Sequence, residues 1–359
     1  MVSSAAGSTA ANDAARVIHE AIGGRVFPAA TVEVGDSAGV HWSEAFGTRT
    51  FEAGVPVTLN TPFDLASLTK VIATTTLMMS LVEGGRVRLD EQLSAIFAEW
   101  IGPDRAEVTV RDLLEHASGL PARLVDVPPA SRREFEHDIC ATQLEYSPRS
   151  RSVYSDLGFI LLGFLAADRG DASLDALYRG VRLQPDLNAG LTFALSDSAR
   201  ALAAPTLPEL SDPRRGRMLV GEVHDDYAAA LGGVAGHAGL FGSAPEVGAF
   251  ARGLLRAARG DSSVPPPFTR DMVRLFLTKS AVPGSSRALG WDTMLPTSSC
   301  GTRMSPSAFG HVGFTGTSLW IDPSRNRYFV LLTNRACGGG TLDQMRSVRR
   351  AFHDALGEI

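Results

Sequence analysis

Ser67 and Lys70 stand three residues apart in DLASLTKVIATTT, residues 64–76, a run that is otherwise apolar or small around them. The chain carries 34 basic residues, yet only Lys70 and Lys279 are lysine. A position that takes lysine in so arginine-rich a chain asks for an amine. A lysine sheds its proton when desolvated or crowded by charge, whereas a guanidinium does not. Positions i and i+3 of a helix share a face, with Cβ atoms roughly 5–6 Å apart, so an ammonium there reaches a hydroxyl. A serine in the first helical turn also meets the positive end of the helix dipole, which favours an alkoxide. The pattern is that of a serine nucleophile with an amine partner able to trade a proton with it.

Further residues along the chain fit such a site. VYSDLGFILLG places Tyr154 and Asp156 directly before an apolar helical run, and FGHVGFTGTSLW places His311, Gly313 and Phe314 on a late strand. Each also has a plain structural reading, as a helix cap, a packed tyrosine or a core histidine. GDSAG, Gly35–Gly39, matches the G-x-S-x-G nucleophile elbow, but the strand-like VHWSEAF follows it where the elbow needs a helix. Ser37 therefore reads as a hairpin tip. His224, Asp225 and His237 lie in a glycine-rich segment and read as packing beside the site, because no third metal ligand with suitable spacing accompanies them.

The elements that must position these groups are legible from periodicity and punctuation. Residues 11–24 read as a helix stopped by Gly23 and Gly24. FPAATVEVG and GVHWSEAFG read as an antiparallel hairpin joined by DSA. Residues 62–83 read as a helix that carries Ser67 and Lys70, and Thr109 with Asp112 reads as a helix cap. Short helices and proline-rich loops fill the chain to about residue 225. AFGHVGF, TSLWIDP and RYFVLLTNR are three late strands, followed by a closing helix over residues 341–356. Strands at both ends with helices between predict an α+β fold. One antiparallel sheet is formed from both chain ends and flanked by helices, with a mostly helical domain inserted. The expected division is residues 1–84 and 226–359 for the sheet domain and 85–225 for the insertion, with the active site between them.

In order, S-x-x-K, Y-x-D and H-x-G resemble the three motifs of the serine β-lactamase and penicillin-binding-protein superfamily. The tyrosine version is similar to the branch of class C β-lactamases, DD-peptidases and family VIII esterases. FDLASLTK, LLEHASGLP, YSDLGFILLG, GGVAGHAGLFGSA and GHVGFTGTSLWIDP strengthen the resemblance, which runs from about residue 25 to 335. It implies Ser67 as nucleophile and Lys70 with Tyr154 as shared general base and acid. It also implies backbone N–H groups of Ser67 and Phe314 as oxyanion hole, with Gly313 letting substrate lie close to the strand. The chain departs from that pattern twice. Asp156 stands where asparagine is usual, and an ionised Asp156 near Lys70 shifts weight from the lysine to Tyr154. His311 stands where β-lactamases usually carry lysine, so the fixed cation for a substrate carboxylate is missing and uncharged esters are expected to be preferred.

The formal charge of −5 and the absence of a basic block argue against a nucleic-acid or anionic-membrane partner. The first residues have neither a basic start nor an apolar core of a secretion signal, and no run approaches a membrane span, so a cytoplasmic location is expected. Cys140, Cys300 and Cys337 lack paired spacing and read as reduced, buried thiols. The sequence points to a hydrolase without cofactor or metal, acting through an acyl-enzyme on a small ester or amide. Acyl transfer, DD-peptidase or β-lactamase chemistry, and a catalytically silent binding module stay open.

Overall fold

The strand-like runs at the two ends of the chain pair with one another. A computed structural model describes residues 3–52, 54–124, 128–181 and 190–357, with side chains from Thr9 onward. The expected hairpin forms: β1 (Ala29–Gly35) and β2 (Val40–Gly47) run antiparallel, with Val32 opposite Glu44. Asp36 shapes its turn, Oδ1 accepting from the amides of Ala38 at 2.7 Å and Gly39 at 3.0 Å. Ser37 sits at that tip, away from any helix start.

A short pair first ties the middle of the chain: β3 (Phe63–Asp64) runs antiparallel to β4 (Phe241–Gly242). β5 (Asp292–Thr293), β6 (Phe309–Val312), β7 (Ser318–Asp322) and β8 (Arg327–Thr333) then complete a six-stranded sheet in the order β2-β1-β8-β7-β6-β5. Every neighbouring pair in it is antiparallel.

β1 and β8, Val32 against Leu331, join the two ends of the chain at the middle of the sheet. Side chains alternate across a strand, and β8 is apolar on both faces because both are covered. Phe329 and Leu331 pack with Ile18, Met345 and Phe352 of the Ser3–Gly23 and Leu342–Leu356 helices. Tyr328, Val330 and Leu332 face the opposite layer, which includes Val247 and Phe250 of the Ala244–Ala258 helix.

Two expectations about helices need correction. The first helix starts at Ser3 rather than residue 11, because the leader's alanines favour helix as well. The helix expected over 62–83 starts later. Phe63–Asp64 is strand β3, the chain turns at residues 65–67, and the helical run begins at residue 68. Its Lys70–Thr74 turn is π-helical and Thr75–Glu83 is regular. Strand pairing with a segment far along the chain overrides the local helical pattern.

Among the described residues, 85–225 adds no strand to the six-stranded sheet. Thr109 and Asp112 form the expected capping box on the Val110–Leu114 helix. The Asp156–Gly170 helix is apolar nearly all round and buried from Leu157 to Ala166. All three cysteines are free and buried, and burial pushes the thiols of Cys140 and Cys300 up to about 12. No helix among the described residues is long and apolar enough to cross a membrane.

Candidate active site

Ser67 owes its position to a strained turn. Ala66 adopts φ of 47°, a left-handed conformation uncommon outside glycine. Asp64 holds it there, Oδ1 accepting from the Ala66 amide at 2.8 Å, while the Leu65 amide donates to the Leu240 carbonyl at 2.9 Å. The helical run starts directly after Ser67. In its π-helical turn the Thr75 hydroxyl donates to the Lys70 carbonyl at 2.8 Å, a local widening of the kind found at functional sites.

Lys70 is fully buried, 0% exposed, and all three ammonium donors are used. Nζ donates to Ser67 Oγ at 3.1 Å, Asp156 Oδ1 at 2.7 Å and the His237 carbonyl at 3.0 Å. Burial alone pushes the amine down, but the Asp156 carboxylate, with Tyr154, outweighs it and raises Lys70 above the ordinary lysine value. The resting group is an ammonium. The cause is the acid that stands where the related motif has asparagine.

Tyr154 OH lies 2.7 Å from Ser67 Oγ. Burial raises its phenol above the ordinary value, and the nearby Lys70 ammonium only partly offsets this, so the resting tyrosine is protonated. Its ring packs 4.8 Å from the His116 ring and 5.8 Å from the His311 ring, with Lys70 Nζ 4.9 Å from its centre.

The facing wall is the turn after β6. Thr315 Oγ1 donates to the Asp64 carbonyl at 2.8 Å and Thr317 Oγ1 to the Leu65 carbonyl at 3.1 Å, tying this turn to the one that carries Ser67. Arg335 donates twice to the Phe314 carbonyl, at 3.1 and 2.8 Å. Arg349 Nη2 bridges the carbonyls of Gly313 at 2.6 Å and Thr317 at 2.9 Å. The amides of Ser67 and Phe314 make no hydrogen bond among the described residues. A Cβ on Gly313 would lie 2.1 Å from Thr317 Oγ1 and 2.7 Å from the Leu65 carbonyl oxygen. Protein packing alone therefore demands glycine there, before any approach of substrate. The Phe314 side chain is 39% exposed and stacks on His224 at 5.3 Å.

His311 is buried, with Nδ1 against the Val312 carbonyl at 2.9 Å. Burial, then the charges of Arg287 and Lys70, hold it well below the ordinary histidine value, so its neutrality comes from its surroundings. Ser67, Tyr154, Asp156, His311, Gly313 and Phe314 all line one cavity of ≈ 640 Å³, and Lys70 lies beneath it.

The structure adds residues that spacing did not single out. Arg123 donates to Asp225 at 2.8 Å and Asp156 at 3.5 Å, and also pairs with Asp226. Asp225 in turn meets His237 Nε2 at 2.7 Å. Burial would raise Asp225, but His237 and Arg123 hold it well below the usual carboxylate range. The glycine-rich segment thus completes a circuit of Lys70, Asp156, Arg123, Asp225 and His237. Arg287 also lines the cavity, 18% exposed, 5.4 Å from the Tyr154 ring centre and 4.0 Å from Asp292. Arginines carry no spacing signature, and only the fold reveals these two. No group of three or more His, Cys, Asp or Glu suited to a metal occurs among the described residues.

Comparison with known proteins agrees with this architecture. A putative D-alanyl-D-alanine carboxypeptidase of Escherichia coli (strain K12) is 29% identical over 326 residues, covering 80% of this chain and 72% of that protein. An N-acetylmuramyl-L-alanine amidase of Bacillus subtilis (strain 168) is 32% identical over 304 residues, covering 77% of this chain and 68% of that one. Among solved structures, EstCE1, a hydrolase with promiscuous acyltransferase activity, superposes with TM-score 0.78 at 18% identity over 98% of this chain and 100% of its own. A class C β-lactamase from Rhodobacter sphaeroides does so with TM-score 0.75 at 19% identity over 97% of this chain and 99% of its own. These structural likenesses establish a shared fold. The family model described as Beta-lactamase matches residues 14–351, and the chain belongs to that family.

Proposed function

We propose that this serine hydrolase acylates itself on Ser67 and then hydrolyses the acyl-enzyme, acting on a small ester or amide. The observation that carries the reading is the double contact on Ser67 Oγ, from Tyr154 OH at 2.7 Å and Lys70 Nζ at 3.1 Å, on the wall of the cavity. Ser67 Oγ attacks the acyl carbon. Its proton passes to the Tyr154 oxygen while the phenolic proton moves to the leaving oxygen or nitrogen, whose bond to the acyl carbon breaks. A phenol that is protonated at rest is suited to this relay, since it accepts one proton as it gives another. Water then attacks the acyl carbon, its proton passing to the Tyr154 oxygen while the phenolic proton moves to Ser67 Oγ, whose bond to the acyl carbon breaks. Lys70 serves as a fixed positive charge beside the developing alkoxide. The unengaged amides of Ser67 and Phe314 are placed to receive the oxyanion, a contribution of about 3 kcal/mol per donor. In this reading the sheet-bearing part, 1–84 and 226–359, and the helical insertion, 85–225, each supply part of the machinery.

A second reading concerns the substrate. His311 supplies no cation, which favours neutral esters, yet Arg287 beside it gives the cavity a guanidinium with one distant acid partner. That charge, with the carboxypeptidase and amidase names of the relatives, favours amides or peptides bearing a carboxylate. A silent binding module is disfavoured because the full set of reacting groups is in register.

Fluorophosphonate treatment followed by mass spectrometry is expected to give one adduct, on the peptide containing Ser67, that is lost in Ser67→Ala. An adduct on Ser37, or undiminished labelling of Ser67→Ala, overturns the assignment. Rates on p-nitrophenyl butyrate, nitrocefin and D-Ala-D-Ala peptides in wild type and Arg287→Gln decide between the two substrate readings.

A further inference from the structure

The two amides that flank Tyr154 both reach one residue, and the Val153 N–H also lies 3.3 Å from the Tyr146 hydroxyl. Val153 N–H donates to the His116 carbonyl at 2.9 Å, and Ser155 N–H donates to His116 Nδ1 at 3.1 Å. The same imidazole lies between the rings of Tyr154, at 4.8 Å, and Phe159, at 5.1 Å. The His116 carbonyl is further engaged by the Tyr146 hydroxyl at 3.1 Å. His116 follows the Val110–Leu114 helix with φ of 54°, and the Ala117 amide reaches back to the Asp112 carbonyl at 2.8 Å. Glycine or asparagine is the usual occupant of such a left-handed position after a helix. A histidine stands here against that preference.

We propose that His116 is the positioning residue for Tyr154: its carbonyl and Nδ1 clamp the neighbouring amides while its ring backs the phenol ring. The inference rests on the reading of Tyr154 as the proton relay at Ser67. Packing alone does not account for the residue. The side chain is 1% exposed and Nε2 has no hydrogen-bond partner among the described residues. A leucine or phenylalanine filling the same space would bring no unpartnered Nε2 of its own into the core. What an apolar side chain lacks is an acceptor for the Ser155 amide. Because Nδ1 accepts, the proton sits on Nε2 and the ring is neutral. Burial, with the charges of Arg287 and Lys70, holds it well below the ordinary histidine value and keeps that acceptor free.

Three variants separate this role from a structural one. Asparagine tolerates the left-handed backbone and places its amide oxygen near the Nδ1 position, whereas glutamine carries its oxygen too far out. Glycine relieves the backbone and removes both ring and acceptor. In His116→Gly, kcat on p-nitrophenyl butyrate is expected to fall on the order of 100-fold at nearly constant KM, the lower end of one positioned acid–base contribution. His116→Asn should stay within about 10-fold of wild type, and His116→Gln should resemble His116→Gly. Hydrogen exchange at the Ser155 amide should speed up in His116→Gly and His116→Gln and stay protected in His116→Asn. Wild-type kcat in a folded His116→Gly, or His116→Asn no better than His116→Gln, overturns the proposal. Unchanged Ser155 exchange in His116→Gln overturns it as well. If His116→Gly fails to fold, the asparagine–glutamine pair alone decides. A wild-type protein that gives no Ser67 adduct defeats the hydrolase reading instead, and Ser155 exchange still reports on the clamp.

Discussion

Two buried cations hold the two walls of the cleft, and their surroundings treat them in opposite ways. Lys70 faces the Asp156 carboxylate, which raises it despite burial. Arg349 meets only carbonyl oxygens, its Nε has no partner among the described residues, and burial, with nearby Arg335, pushes it down to about 9. On the Ser67 wall a counter-charge fixes the ammonium, so the proposed chemistry hangs on one ion pair. On the Phe314 wall the charge acts as a donor that shapes backbone, so geometry is what matters. A lysine without an acid partner would shed its proton in the Arg349 environment, which only a guanidinium withstands. Conversely, one compact ammonium meets three acceptors at Lys70 where a planar fork does not fit.

The largest test of this contrast is Lys70→Met. It removes the charge beside Ser67 and strands Asp156, so kcat should fall on the order of 10³-fold and stability by about 3 kcal/mol. Adding Asp156→Leu should restore most of the denaturation midpoint and none of the turnover. A single variant as stable as wild type breaks the claim that the pair is energetically coupled.

Next is Lys70→Arg, which keeps the charge but not the three-way contact. Its ester turnover should drop by more than about ten-fold, equivalent to roughly 1.4 kcal/mol of barrier. Near-wild-type turnover would show that charge alone suffices on this wall.

The pH dependence of stability separates the groups further. Lys70 has its folded value raised, so its contribution is fully present below 10.5 and is lost only as pH climbs past that value. His353, buried beside the Phe314 wall, is pushed down to about 3 by burial and then by Arg349. Below about 6.5 the unfolded chain takes a proton that folded His353 refuses, so stability falls by about 2 kcal/mol from pH 7 to pH 5 on its account. Urea midpoints at the two pH values should show a smaller loss in His353→Asn. An identical acid loss in His353→Asn would mean that His353 does not carry it.

The smallest expected effect is Thr315→Val. It deletes one hydrogen bond between the two walls, at 2.8 Å to the Asp64 carbonyl, and should slow Ser67 acylation by roughly five-fold, about 1 kcal/mol. Stopped-flow labelling measures it directly.

Much of this is legible in the sequence, for local reasons. Alternation marks β2, strand-like apolar runs bounded by turn residues mark β1 and the strands after residue 308, and the i, i+3 spacing marks Ser67 with Lys70. Tyr154 and Asp156 stand out because they open an apolar helix. What stayed hidden depends on contacts between distant residues. Phe63–Asp64 is a strand because Phe241–Gly242 pairs with it. The protonation of Lys70 is set by an acid 86 positions away. Arg123 and His116 belong to no spacing pattern, and their partners lie 30 or more positions along the chain. Gly313 was legible as a residue but not in its reason, since the clashing Thr317 hydroxyl comes into reach only through the turn.

The pairing of β1 with β8 also governs when the protein comes into being. β1 emerges from the ribosome long before its partner β8, with Gly35 ending opposite Tyr328 and Ala30 opposite Thr333. Until then its inner strand position is an open edge of buried-type side chains, a template for pairing with other chains. Such distant pairing also slows folding, since a long loop must close before any contact rewards it. A chain halted before residue 327 lacks the strand that joins the hairpin to β7, so nascent or prematurely terminated copies are the species that call for chaperone protection.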